Sequence, residues 1–114
     1  MRIADLSTFV VGNPPPGYGG RYFTFLKLTT DDGISGIGEV YSDTFGPGTV
    51  KCMIEDVFAH HVLDTDPFRI ETLWRNVYGR GYSGRPDISL VGVLSGLEMA
   101  CWDIVGKAVE KPVY

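Results

Sequence analysis

The chain has 114 residues, of which 44% are hydrophobic, 12% aromatic and 21% charged, and its formal net charge is −4. That length supports one hydrophobic core, and the composition argues against a disordered or low-complexity chain, so a single domain spanning 1–114 is expected. The negative balance and the scattered Lys and Arg argue against a nucleic-acid partner, which would need clustered cations to displace phosphate counterions.

The amino terminus, Met1-Arg2-Ile3-Ala4-Asp5, has neither an apolar targeting core nor a cleavage site, and the longest apolar stretch, Ile88 to Met99, is interrupted by Ser, Gly and Glu98. A cytoplasmic protein with no membrane contact is the expectation. Phe9, Val10 and Val11 open a β-favouring run, and a second run covers Arg21 to Thr30. Between them lies Asn13-Pro14-Pro15-Pro16-Gly17-Tyr18-Gly19-Gly20, too long for a tight hairpin and either a lid or a plain connection. Asp31-Asp32-Gly33 predicts a turn into a third strand from Ile34 to Val40. Gly36 and Gly38 weaken that strand unless another backbone or a ligand comes close to it.

Helical spacing begins after Gly48. Val50, Met53, Ile54, Val57 and Phe58 predict a helix capped by Thr49 and ending near His60, with His60 and His61 complementing its dipole. Asp66 as N-cap, Pro67 in the first turn and Gly79 as a left-handed stop bound a second helix, which buries Ile70, Leu73, Trp74, Val77 and Tyr78. A third helix runs from Pro86-Asp87 to about Lys107, with Gly92, Gly96 and Ala100 on one stripe that suits tight packing. The fold class is α+β: a three-stranded antiparallel meander followed by a three-helix bundle.

Little in the sequence carries chemistry directly. Cys52 and Cys101 lack metal spacing and read as reduced core residues. Glu39, Asp43 and Glu98 share no metal- or sugar-binding motif, and no residue pattern assembles a nucleophile with its base. No catalytic residue and no metal ligand is therefore assigned. Tyr41 to Pro47 forms a polar strand-to-helix loop, and Arg80, Tyr82 and Arg85 mark either an anion-contacting stretch or a solvated linker.

Two strings carry a resemblance. Thr29-Thr30-Asp31-Asp32-Gly33-Ile34-Ser35-Gly36-Ile37-Gly38-Glu39 resembles the amino-terminal hairpin of the mandelate racemase and muconate lactonizing group of the enolase superfamily. Ala100-Cys101-Trp102-Asp103-Ile104-Val105-Gly106-Lys107 is similar to that group's Ala-x-Trp-Asp-x-x-Gly-Lys helix end. The resemblance covers nearly the whole chain and implies a capping domain of enolase amino-terminal type. In that family a β/α barrel, absent from this chain, supplies the Mg²⁺ ligands and the bases that remove the proton α to a carboxylate. The resemblance thus implies Mg²⁺ and a small-molecule carboxylate substrate for the whole enzyme, and an inactive isolated cap. It also implies two substrate-specificity loops, with Asn13, Tyr18 and Arg21 at the first and Thr44 and Phe45 in the second. The proline-rich insert and Asp66-Pro67-Phe68-Arg69-Ile70-Glu71 lean toward the sugar-acid dehydratase branch, with racemase and cycloisomerase open. A free-standing binding or dimerisation module is the alternative. The number of aromatic residues, among them Tyr22, Phe23, Phe25, Phe45, Trp74, Tyr78 and Trp102, predicts bare apolar surface and a homo-oligomer.

Overall fold

Six elements make up the computed structural model, which describes residues 1–41, 45–79 and 87–114. Strands β1 (Ile3–Gly12), β2 (Tyr22–Thr30) and β3 (Ser35–Val40) form an antiparallel sheet in the order β1-β2-β3, and helices α1 (Pro47–His61), α2 (Ile70–Tyr78) and α3 (Ile88–Ala108) follow. The expected α+β meander and helical layer are both present.

β2 is the central strand, and its alternation shows how the layers meet. Thr24, Leu26, Leu28 and Thr30 are buried beneath the helices, whereas Phe23, Phe25, Lys27 and Thr29 are half-buried on the other face. β1 starts well before its apolar run because Ile3 and Leu6 also face inward, and an irregularity between Ile3 and Asp5 breaks their simple alternation in the sequence. The β2–β3 turn is closed by Gly33 at φ 90°, whose N–H bonds the Thr30 carbonyl at 3.0 Å, a conformation that L side chains rarely adopt. Beside it the Arg2 backbone N–H donates to Asp31 Oδ1 at 2.9 Å, which holds that carboxyl below its usual range.

The small residues on α3 serve packing. A Cβ added at Gly38 would overlap the Gly96 carbonyl oxygen, one at Gly36 would overlap that of Ala100 and lie 2.9 Å from Ile104 Cγ1, and one at Gly92 would overlap the Tyr41 carbonyl oxygen. Glycine faces glycine, so the α3 backbone rests directly on β3. The strongly resembling helix end then closes the sheet edge. Asp103 Oδ2 accepts from the Ile37 N–H at 3.0 Å and from Lys107 Nζ at 2.8 Å, and Lys107 Nζ also donates to the Ser35 carbonyl at 2.7 Å. Those two backbone groups would otherwise be an open β-pairing template. Gly106 completes the motif: a Cβ there would lie 2.9 Å from the Lys111 carbonyl oxygen, where the chain turns back and the Lys111 N–H bonds the Gly106 carbonyl at 2.9 Å.

By length and apolarity alone α3 could cross a membrane, but Val93, Leu94, Leu97, Ala100, Cys101 and Ile104 are buried in the core. Its start is as expected, with Asp87 Oδ1 accepting from the Leu90 N–H at 2.8 Å.

Several sequence expectations need correction. α1 begins at Pro47, with Gly46 as an extended N-cap, so Thr49 lies inside the helix and caps nothing. Asp66 caps only an isolated turn: its Oδ1 accepts from Phe68 N–H at 2.9 Å, and α2 starts at Ile70 with Arg69 at the N-cap. Gly79 has φ −94° and is not left-handed. Within α2 only Ile70, Leu73 and Val77 are buried; Trp74 is half-buried and Tyr78 is exposed, their rings 5.8 Å apart. Cys52 is exposed because Val50, Ile54 and Val57 set the buried face of α1, and residue 52 falls about 200° round the helix from Val50. Cys101 is buried as expected, and burial together with nearby Glu98 pushes its thiol up to about 12.

Candidate functional site

A cleft of about 700 Å³ opens where the β1–β2 connection, the end of β3 and the start of α1 converge. Its lining combines Pro16, Gly17, Gly19, Gly20 and Arg21 with Tyr22, Phe23 and Thr24, then Glu39, Val40 and Tyr41, then Phe45, Gly46, Pro47 and Val50. The fold therefore brings the two loops singled out in the sequence to one place. The β2–β3 hairpin does this, because Thr24 pairs with Val40 and carries the end of β3 beside the start of β2.

The first loop has a built shape. Gly17, Gly19 and Gly20 all have positive φ, at 68°, 86° and 137°, so the three glycines are conformational requirements. Asn13 Nδ2 donates to the Tyr18 and Gly20 carbonyls, both at 2.8 Å, and the Asn13 N–H bonds the Arg21 carbonyl at 2.8 Å. Asn13 thus shapes the loop from within. Tyr18, 85% exposed, stands outside the cleft lining, whereas Arg21 lines both this cleft and a neighbouring hollow formed with Asn13 and the three prolines. Phe45 is exposed at the opposite wall. Thr44 and its neighbours Ser42 and Asp43 lie outside the described residues, as does the 80–86 stretch containing Arg80, Tyr82 and Arg85.

Thr24 is the lining residue that sequence patterning passed over. It is 7% exposed on the inward face, and among the described residues nothing hydrogen-bonds its hydroxyl. Thr24 also lines the cleft, so its side chain can meet a polar group there. The period-two pattern gave its burial, but a threonine in a strand is too common to stand out. The remaining polar candidates do not form an acid pair: Glu39 is exposed on the outer sheet face, and Glu98 accepts from Trp102 Nε1 at 3.2 Å. Among the described residues no three His, Cys, Asp or Glu side chains could hold a metal ion together. Mg²⁺ does not fit these described residues.

A second cavity, of about 400 Å³, lies among Arg2, His61, Asp64, Asp66, Arg69 and Cys101. Arg2 sits at the opposite end of the ten-residue β1 from the cleft, about 30 Å away at 3.3 Å per residue. Its guanidinium is already engaged, 3.6 Å from Asp64 Oδ1.

Fold and site together define an α+β domain in which two loops at one sheet end form a cleft with polar and aromatic walls, and among the described residues no three potential metal ligands gather there. The chain belongs to the mandelate racemase/muconate lactonizing enzyme amino-terminal domain family, whose model matches residues 18–114. A chain of Labrenzia alexandrii DFL-11 assigned to the same enzyme group is 61% identical, with a TM-score of 0.95 over 100% of this chain and 29% of its own. The mandelate racemase/muconate lactonizing enzyme of Sulfitobacter sp. is 48% identical, with a TM-score of 0.94 over 100% of this chain and 29% of its own. Among curated relatives, D-galactonate dehydratase of Ralstonia nicotianae is 35% identical over 100% of this chain and 27% of its own length. The chain thus spans little more than a quarter of each relative.

Proposed function

We propose that this chain caps the active site of a Mg²⁺-dependent enolase-superfamily enzyme that dehydrates a small sugar acid, racemisation being the second reading. The observation that carries the proposal is the convergence of the two loops on one cleft in a chain 35% identical to a D-galactonate dehydratase. In this reading the metal and the bases come from the part of the enzyme outside this chain. Mg²⁺ held in that part would supply stabilisation of negative charge on a carboxylate substrate. The cap's own residues exclude water and hold the far end of the substrate. Arg21 offers a polar contact to a polyhydroxy chain, Thr24 offers a desolvated hydroxyl, and Tyr22 and Phe45 provide apolar walls. The isolated cap has no turnover, and the enzyme is a cytoplasmic homo-oligomer.

The test is turnover by the enzyme carrying this domain on a panel of sugar acids, with and without Mg²⁺, reading the α-keto acid that follows loss of water. Dehydration of a panel member that Arg21→Ala weakens mainly through KM is the expected result. Racemisation without α-keto acid would select the second reading. Turnover indifferent to Arg21, Phe45 and Thr24 variants would overturn the capping role.

A further inference from the structure

The connection from β1 to β2, residues 13–21, is drawn together by one side chain. Asn13 Nδ2 lies 2.8 Å from the Tyr18 carbonyl oxygen and 2.8 Å from that of Gly20. Both partners are acceptors, so the amide nitrogen faces them and both of its hydrogens are used. The Asn13 backbone N–H adds a bond to the Arg21 carbonyl at 2.8 Å. The Gly20 carbonyl belongs to the peptide that enters Arg21, and the Arg21 carbonyl to the peptide that leaves it. Asn13 therefore holds the planar groups on both sides of Arg21, which fixes its backbone dihedrals and the direction in which its side chain departs.

The remainder of the connection would not keep this shape unaided. The Gly17 N–H bonds the Pro14 carbonyl at 3.0 Å, and the Gly20 N–H bonds the Gly17 carbonyl at 3.1 Å, giving two turns in series. Gly17, Gly19 and Gly20, all at positive φ, are the residue type with the most backbone freedom to lose. The Asn13 amide reaches from one limb of the connection to the other and removes that freedom in the empty cap. Arg21 has use for such placement because its guanidinium is uncommitted. Among the described residues it has no ion-pair or hydrogen-bond partner, whereas Arg2 and Arg75 lie 3.6 and 3.7 Å from the carboxylates of Asp64 and Glu71.

We infer that Asn13 is a positioning residue for substrate binding: it presets Arg21 at the cleft, so the first loop meets the substrate as a wall already formed and not as a lid that the substrate orders. The inference rests on the capping role proposed above. A loop pinned in its binding shape loses no affinity to competing conformations, whereas a freed loop binds only in the fraction of time it spends in that shape.

Steady-state kinetics of the enzyme carrying this domain tests it, on each member of the sugar-acid panel that is turned over. Asn13→Ala, which removes two hydrogen bonds to backbone carbonyls, should raise KM roughly tenfold and leave kcat within about twofold. Asn13→Asp keeps the size of the side chain but has no hydrogen to donate, so it should bind no better than the alanine variant. Because Asn13 acts through Arg21, the Asn13→Ala/Arg21→Ala double variant should have the KM of Arg21→Ala alone, whereas independent contacts would multiply. Neither position belongs to the core, so each variant should fold as the parent does. A KM unmoved by Asn13→Ala, an Asn13→Asp enzyme that matches the parent, or increases that multiply in the double variant would each overturn the inference while Arg21→Ala still raises KM. If no panel member is turned over, or Arg21→Ala leaves KM unchanged, the capping role itself fails and the inference falls with it.

Discussion

Replacing Gly38 by alanine probes the contact on which the two layers depend. A Cβ there overlaps the Gly96 carbonyl oxygen, lies 2.8 Å from the Gly96 carbonyl carbon and 3.3 Å from the Ala100 nitrogen. All three atoms are backbone, so no rotamer relieves the clash and α3 must draw back from β3. Overpacking of this kind costs about 1–3 kcal/mol, and the retreat also stretches the Asp103–Ile37 and Lys107–Ser35 bonds, 3.0 and 2.7 Å long. Against this, alanine reduces the freedom of the unfolded chain by about 0.4–1 kcal/mol. The net loss is about 2 kcal/mol, or a fall in Tm of about 8 °C for a domain of this size. A thermal melt followed by circular dichroism reads it. Gly48→Ala is the matched control, because nothing lies within 4 Å of its added Cβ in α1, and it should leave Tm unchanged or slightly raised. A Gly38→Ala chain as stable as its parent would refute the backbone-on-backbone account.

Three further predictions test the supporting contacts. Asp103→Ala strips the Ile37 N–H of its acceptor and should lower stability by about 1–2 kcal/mol in a urea titration; a loss no larger than that of an exposed ion pair would show that the β3 edge needs no guard. Cys52 should react with a thiol reagent in the native chain and Cys101 only after unfolding. Because burial raises the Cys101 thiol from an ordinary 9.0 to about 12, its contribution to stability should persist below pH 9 and drain away between there and about 12. Two thiols reacting at equal speed in native chain would contradict this burial. Asn13→Ala removes both bonds that gather the first loop, so amide exchange over residues 17–21 should accelerate while exchange in α3 is unaltered.

The meander and the three helices were legible because local chemistry and tertiary packing agree there. Asp31-Asp32-Gly33 makes the expected turn, Asp87 caps α3, and the inward faces of β2 and α3 follow their periods. Boundaries failed where two signals competed. Asp66 and Pro67 are good helix starters, yet their turn is satisfied locally and the helix waits until Ile70. Cys52 was misplaced because an apolar neighbourhood in sequence is not a buried face of a helix. The glycines of β3 and α3 were separately visible, but only their mutual contact explains both. For the site, loop position was readable and side-chain role was not. Asn13 turns inward to brace the loop, Arg21 lines the cleft, and Thr24 entered only once the fold placed it there.

The proposed capping role puts the substrate in the cleft between the two loops. Hydrogen exchange on the enzyme carrying this domain, compared with and without saturating sugar acid that it turns over, tests it most directly. The account predicts slowed exchange in residues 16–24 and 45–50, which flank the cleft, with little change around Arg2 and Asp64 at the far end of β1. Unchanged exchange at both loops under saturation, or protection confined to the far cavity, would contradict it.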